Sequence, residues 1–444
     1  MNLIEKRFAP ANRHEDWMFS VAWSIVLGFI SGLACVGVRL FFRLLQWVLT
    51  QHGGLLPEAA RALSPERRLL TPVLGALCAT AVLFVARKWG TLHSNEYVEA
   101  VRHHDGRISL SATLWKTMSA AFSVATGAAV GREGSMIQFA SAVTAWFGEE
   151  MPTRGFPLSR QVACGAAAAV AAAYQAPIAG IFFAAEIVLG EWSWMDLPHF
   201  VLPATAGWLV SRTLLGDGPL FPVHEAFTLS HDYGWALVLA VVLGLLGPLY
   251  HPLLRSFRFA SRWPLALLWS GLLVGALSLL KPEVWGNGDV ALASSLQGGS
   301  AFGTIATVLV LRLVATAFCV GSGTNGGVFT PTIFAGAAMG FLAGGLLHVS
   351  APVLLAVVGM GAFLSAVTHA PLMASCMVAE LTGQWHILPL LLLCDILAWQ
   401  IARRITSDSL YAIATPEPAD EHAATDAKLL GNPAYLTTEV SLQS

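Results

Sequence analysis

Long stretches without a charged side chain alternate along this chain with short polar ones. Trp17 to Val38, Leu69 to Ala86, Gln161 to Ala185, Trp263 to Leu280 and Leu313 to Leu347 contain no Asp, Glu, Lys or Arg. A helix needs roughly 20 apolar residues to cross the hydrocarbon core of a bilayer. The pattern therefore predicts a series of membrane-spanning helices. The last run is too long for one simple crossing, so it is expected to break. Polar, proline-containing or charged segments separate the runs at Pro57 to Arg68, Glu149 to Arg160, Leu215 to Asp232 and Arg255 to Arg262. The first 16 residues read as a short aqueous arm. The tail, residues 412–444, is polar and shorter than a typical folded domain, so no regulatory domain is expected in it. The first apolar run is longer than the core of a signal peptide and is followed by others, so it reads as a retained segment.

Many glycines sit inside the apolar runs, among them Gly321, Gly323, Gly326, Gly327, Gly336 and Gly340. Such glycines mark broken helices, and breaks at matching places in two halves point to a transport site. The halves can be matched. Ala176-Pro177 precedes Glu186 and Ala370-Pro371 precedes Glu380, with a Pro-to-Glu spacing of 9 in both and an offset of 194 between them. The same offset carries Glu133, in Gly131-Arg132-Glu133-Gly134, onto Gly327, and an offset of 196 carries Trp89-Gly90 onto Trp285-Gly286. The chain reads as an internal duplication, residues 17–230 and 231–411. The spacing leaves open whether the copies are parallel or inverted.

Composition agrees with the pattern. Charged residues make up 12% of the chain, half the usual share of a soluble domain. One soluble enzyme with a large core is thereby excluded, because a soluble core does not clear charge from so many long windows. The six cysteines lie in or beside apolar runs and form no CxxC pair, so neither a disulfide framework nor a zinc site is expected. No cofactor is implied. No basic run suggests a nucleic-acid partner. The partners implied are the bilayer and a small solute.

The chemistry of that solute follows from the glycine-flanked turns. A helix that starts inside the membrane presents unpaired N–H groups and the positive end of its dipole. Together these bind an anion without a full countercharge, and weak binding lets the ion leave again. Gly131 to Ser135 and Gly326 to Pro331 have this character, each followed by an apolar run, and Pro331 suits a first helical turn. Glu133 is a carboxylate among apolar segments, which is usually functional. It either competes with the anion for its site or pairs with Arg132. Lys116 either raises the local potential for anions or pairs with a carboxylate. A membrane-embedded enzyme is the competing class, but the chain has no HExxH, GxSxG or P-loop pattern.

These residues resemble the CLC family of chloride channels and proton-coupled chloride antiporters, and within it the bacterial ClcB-like group without cytoplasmic regulatory domains. Gly131-Arg132-Glu133-Gly134-Ser135 is similar to the family's G[K/R]EGP motif, with Ser135 in place of proline. Gly327-Val328-Phe329-Thr330-Pro331 is similar to its GxFxP motif, and Tyr411 to its late tyrosine. The resemblance covers about Trp17 to Tyr411. It implies an all-α polytopic membrane protein, an inverted repeat of tilted, partly broken helices, assembled as a homodimer with one anion pathway per subunit. It implies Glu133 as the gate, backbone N–H groups of Val328 and Phe329 and the Tyr411 hydroxyl as anion donors, and Gly131, Arg132, Gly134 and Gly327 around them.

Two departures stand out. The family's first filter motif, GSGIP, is missing. Leu92-His93-Ser94-Asn95-Glu96 occupies its place, with His93 or Ser94 at the filter serine. Glu186 matches the first of two adjacent glutamates found in many proton-coupled members, and Ile187 replaces the second, the internal proton acceptor. The sequence thus favours gated, channel-like chloride movement, suited to an electrical shunt for proton traffic, over proton-coupled exchange.

Overall fold

The computed structural model describes residues 13–90, 92–151, 153, 155–191, 196–225, 227, 232–297 and 301–413. Most of the N-terminal arm and nearly all of the polar tail lie outside them. Among the described residues the secondary structure is helical, apart from one isolated antiparallel bridge between Gly131 and Gly327.

Nine helices form a first series: α1 (Arg13–Thr50), α2 (Leu56–Ala62), α3 (Pro65–Lys88), α4 (Tyr97–His103), α5 (Leu110–Ala125), α6 (Glu133–Glu150), α7 (Leu158–Tyr174), α8 (Pro177–Phe182) and α9 (Leu197–Leu215). Eight follow: α10 (Asp232–Arg255), α11 (Ala266–Leu280), α12 (Asp289–Leu296), α13 (Phe302–Gly321), α14 (Phe329–Leu346), α15 (Pro352–Thr368), α16 (Pro371–Thr382) and α17 (Leu388–Ile405). Among the described residues, six spans are long and apolar enough to cross a membrane, and shorter apolar helices lie between them. Helix α1 begins at Arg13, so the polar residues up to Asp16 form its first turn rather than a free arm. Its 38 residues measure about 57 Å, well beyond a bilayer's apolar thickness, so it must tilt or project.

The expected break in the long run falls between α13 and α14. Helix α13 ends at Gly321, and Gly323 takes φ +84°, a left-handed turn that a side chain resists. The chain then runs non-helically to Val328 before α14 starts. Helices α7, α14 and α15 are buried on nearly every face and form the centre of the bundle. Small residues let them touch: a Cβ added at Gly336 of α14 would lie 2.2 Å from the Gly359 carbonyl oxygen of α15. Helices α1, α3 and α10 instead expose leucine and phenylalanine side chains such as Leu44, Phe84 and Leu249 on the outside.

Paired elements repeat with the offset visible in the sequence. Helices α6 and α14 are both 18 residues long and start at 133 and 329, 196 apart. Helices α7 and α15 are both 17 residues long and start at 158 and 352, 194 apart. Each ends on a left-handed, non-glycine residue, Gln175 (φ +57°) and His369 (φ +60°), just before Ala-Pro. Contacts between the copies are reciprocal, as a two-fold relation requires. The Gly131 N–H donates to the Gly327 carbonyl at 2.6 Å and the Gly327 N–H to the Gly131 carbonyl at 2.7 Å. Glu186 accepts from the N–H groups of Leu372 and Met373 at 3.3 and 2.8 Å, and Glu380 accepts from those of Ile178 and Ala179 at 3.0 and 2.8 Å. Each carboxylate caps the helix that begins in the other copy.

Candidate anion site

The two glycine-flanked turns meet at the centre of the molecule. Gly131 and Gly327 spend their N–H groups on each other. They therefore lock the starts of α6 and α14 together and present no donor to an ion. Gly134 allows the approach, since a Cβ there would lie 2.6 Å from the Gly327 Cα. The donors left over are those that helix starts cannot use internally. At α14 they are the N–H groups of Val328 and Phe329. At α6 they are those of Gly134 and Ser135. All four residues line one cavity of about 220 Å³, large enough for an anion with some of its water.

Polar side chains complete its wall. Tyr411, from the short 3₁₀ turn Leu410–Ile413, packs edge-on against Tyr97 and Phe183. Tyr174 adds a third hydroxyl, 3.2 Å from Thr330 Oγ1. The side chains of Thr117, Gln138, Thr324 and Asn325 also line the space. Tyr411 borders a second, wider cavity as well, with Glu186, Ile187, Arg102 and Arg403 on its wall. The central cavity thus has an inner vestibule at Tyr411.

Glu133 sits on the opposite side of the turn. It is buried, and Oε1 accepts from Asn287 Nδ2 at 2.9 Å, with Arg132 Nε 3.6 Å away. Its Oε2 is sealed from solvent and has no hydrogen-bond partner. The Arg132 side chain borders an outer cavity rather than the central one. Glu133 itself borders neither cavity: its partners Arg132 and Asn287 line the outer one, and Gly134 and Ser135, next in the chain, line the central one.

The stretch in place of the first filter motif differs from the sequence expectation. His93 is exposed and lines no described cavity. The Ser94 hydroxyl is turned to Thr113 Oγ1 at 2.9 Å, outside the central cavity. Glu96 and Tyr97 reach that cavity instead. Gln138 fixes them by accepting from the Tyr97 N–H and donating to the Asn95 carbonyl, both at 2.9 Å. Helix α4 starts at Tyr97, and the stretch before it packs against α5 through the Ser94–Thr113 bond. Lys116 lines the cavity but donates to the Ser94 carbonyl at 3.0 Å, so it ties down this stretch and, among the described residues, forms no carboxylate pair within 4 Å.

Glu186 and Ile187 lie in a π-helical turn, Phe183–Leu189, that continues α8. Such turns often accompany functional positions. Glu186 points to the start of α16, while Ile187 is buried and its carbonyl accepts from Arg102 at 2.6 Å. Sequence reasoning did not single out Tyr97, Tyr174 or Glu96. A usable signal existed for the first two: the chain has only six tyrosines, and three of them line this one cavity.

The family model for voltage gated chloride channels matches residues 74–403. Voltage-gated ClC-type chloride channels named ClcB from Escherichia coli (strain SMS-3-5 / SECEC) and from Shigella flexneri are each 38% identical over 406 residues, covering 87% of this chain and 96% of theirs. Among solved structures, a slow cyanobacterial Cl−/H+ antiporter superposes with a TM-score of 0.76 at 21% identity, over 93% of this chain and 98% of its own. A CLC-type fluoride/proton antiporter gives 0.75 at 19%, over 92% and 100%. With its apolar spans, this makes the molecule a multi-pass protein of the bacterial inner membrane that transports anions. The chain belongs to the CLC family of voltage-gated chloride channels.

Proposed function

We propose that this protein conducts chloride passively through the central cavity, with Glu133 as the gate. One observation carries the reading: a buried carboxylate, with one oxygen unpartnered among the described residues, stands between the residues of an outer cavity, Arg132 and Asn287, and those of a cavity bordered by the helix starts and by hydroxyls. When Glu133 is charged it stays with Asn287 and Arg132 and fills the passage. When it is protonated its hold on Arg132 weakens, and an anion takes over the positive end of the two helices. Val328, Phe329 and Tyr411 hold the ion in the cavity. We read the chain as two repeats, 17–230 and 231–411, and as a homodimer with a pathway in each subunit.

Coupling to protons needs a titratable group on the inner side. Ile187 cannot supply one, which supports passive flow and a role as an electrical shunt. A second reading, proton-coupled exchange, is favoured by Glu96, a carboxylate on the cavity wall with no ion-pair partner within 4 Å among the described residues. Simultaneous recording of chloride and proton flux in proteoliposomes at clamped voltage separates the two. Passive flow gives chloride movement with no proton movement. Uphill proton movement that is driven by a chloride gradient and lost in Glu96→Gln replaces it with exchange through Glu96. No chloride movement at all overturns both.

A further inference from the structure

The connector between α10 and α11 gathers positive charge and aromatic rings at the surface. Arg255, Arg258 and Arg262 follow closely in the chain, and no Asp or Glu occurs between Asp232 and Glu283. Residues Arg258–Arg262 form a 3₁₀ turn, on which Arg258 and Arg262 are exposed. Among the described residues neither of these two makes a hydrogen bond or an ion pair, whereas Arg61, Arg160 and Arg212 elsewhere each have a carboxylate. Beside them runs a ladder of rings. Phe257, Phe259, Trp263 and Trp269 follow one another with centroid distances of 6.1, 5.6 and 6.1 Å. Phe259, Trp263, Leu265 and Trp269 are between 41% and 56% exposed, and this face continues onto the outward Leu272 and Leu279 of α11. The inward side of the ladder bears on α13. Phe257 and Trp263 pack on Phe318 at 5.4 and 6.3 Å, and a Cβ on Gly321 would lie 2.5 Å from the Phe257 carbonyl oxygen. Ser270 Oγ of α11 lies 3.2 Å from Thr324 Oγ1, and the turn from Thr324 to Phe329 borders the central cavity. The connector therefore rests on the end of the helix that leads into the Val328 and Phe329 donors.

We propose that this connector is a docking site for an anionic phospholipid, which steadies the turn carrying Val328 and Phe329 and so supports anion conduction. The second half of the proposal rests on the function given above. The occupant follows from charge and from the surrounding medium. Exposed Trp rings beside Arg mark the depth of the lipid headgroups in a membrane protein. A guanidinium pairs with a phosphate through parallel N–H donors, and here no carboxylate of the chain competes for Arg258 or Arg262. The acyl chains lie along Phe259, Leu265 and Trp269, where apolar surface is already turned outward. A lipid held at both its head and its chains fixes the connector, and Gly321 leaves no slack between the connector and α13.

The test compares the full chain in vesicles of phosphatidylcholine alone and of phosphatidylcholine with phosphatidylglycerol. The parent protein should release chloride about three- to tenfold faster in the second. The double variant Arg258→Gln, Arg262→Gln should match the parent in phosphatidylcholine and gain less than about twofold from phosphatidylglycerol. The double variant Arg258→Lys, Arg262→Lys keeps the charge and should keep most of the gain. Both positions are exposed, so the fold tolerates these changes. Native mass spectrometry should show phosphatidylglycerol retained by the parent in preference to phosphatidylcholine and lost from the Gln pair. Parental retention in the Gln pair overturns the docking site, and a changed oligomeric size in that pair then assigns the arginines to a contact between copies of the chain. Lost retention with a parental gain in flux overturns the link to the anion site. Inorganic phosphate that gives the same gain in phosphatidylcholine vesicles overturns the lipid in favour of a free oxyanion. Retention is read without transport, so a parent protein that moves no chloride in either vesicle overturns the conduction reading while retention still decides the site.

Discussion

The starts of α6 and α14 are the same backbone structure carrying different chemistry. Both helices have 18 residues, both begin just after a glycine-containing turn, and their turns bond each other reciprocally. At the first helical position, however, one copy has Glu133 and the other Phe329. The carboxylate is bonded by Asn287 through one oxygen and left without a partner at the other among the described residues, while the ring packs on Tyr174 at a centroid distance of 5.3 Å. The Ala-Pro helices behave differently: Glu186 and Glu380 are equivalent in sequence and in task. Duplication preserved its symmetry where residues hold the fold and lost it at the helix starts beside the central cavity. Departure from the repeat is therefore a better guide to function here than agreement with it. The cations repeat the lesson: Lys116 and Arg312, 196 apart, both donate to carbonyls of the preceding loop, Lys116 to Ser94 and Arg312 to Glu283, Val284 and Gly286. Both belong to the scaffold.

The largest effect should come from forcing the two starts apart. In Gly134→Leu the added Cβ would sit 2.6 Å from the Gly327 Cα, and backbone cannot yield as a flexible side chain does. Overpacking of this kind typically costs about 1–3 kcal/mol or more. Here it also removes the alignment of both sets of donors. The variant should melt lower in detergent and conduct no chloride. A stable, conducting Gly134→Leu would mean that the close contact is incidental to the site.

Next come the symmetric carboxylates. Glu186→Ala and Glu380→Ala each leave two backbone N–H groups without an acceptor, at about 1–3 kcal/mol apiece. Thermal unfolding should give similar losses for the two, with chloride selectivity kept by the protein that remains folded. A large difference between them would break the equivalence and assign one carboxylate a further task. Glu133→Gln is the contrasting case. Asn287 retains an oxygen to bond, so stability should change little. Flux should rise and lose most of its increase on acidification, because the parent opens by neutralising this group. A Glu133→Gln protein with parental rate and pH profile would move the gate elsewhere.

How much of this was legible beforehand depended on whether the signal is local. The spans, the break after Gly321, the duplication and the Glu133 and Phe329 turns follow from charge-free windows and spacing, which are properties of the chain itself. The contents of the cavity wall did not. Tyr97, Tyr174 and Glu96 enter it through packing of α4 and α7 against α6, and no motif records that packing. His93 and Ser94 illustrate the converse. Their place opposite a missing motif suggested a filter, but His93 is exposed and the Ser94 hydroxyl is turned to Thr113. Gly131 and Gly327 were legible as turn residues, whereas the mutual bond that takes up their N–H groups required the two halves to be seen together.

The smallest effect should come from the side-chain donor furthest from the helix starts. Tyr411 borders the central cavity on one side and the inner vestibule on the other, and its ring packs edge-on against that of Tyr97, which lines the same cavity. In Tyr411→Phe the ion loses one neutral donor, worth about 0.5–1.5 kcal/mol, and the Tyr97 hydroxyl on the same wall offsets part of that loss. The ring remains, so the packing on Tyr97 and Phe183 is retained. Calorimetric titration with chloride should give a loss of affinity of no more than about tenfold for Tyr411→Phe, and a larger one for the pair Tyr97→Phe and Tyr411→Phe than the sum of the singles predicts. Additive losses would mean that the two hydroxyls act on the ion independently. Unchanged affinity in both single variants and in the pair would leave anion binding to the backbone donors at Val328, Phe329, Gly134 and Ser135 alone.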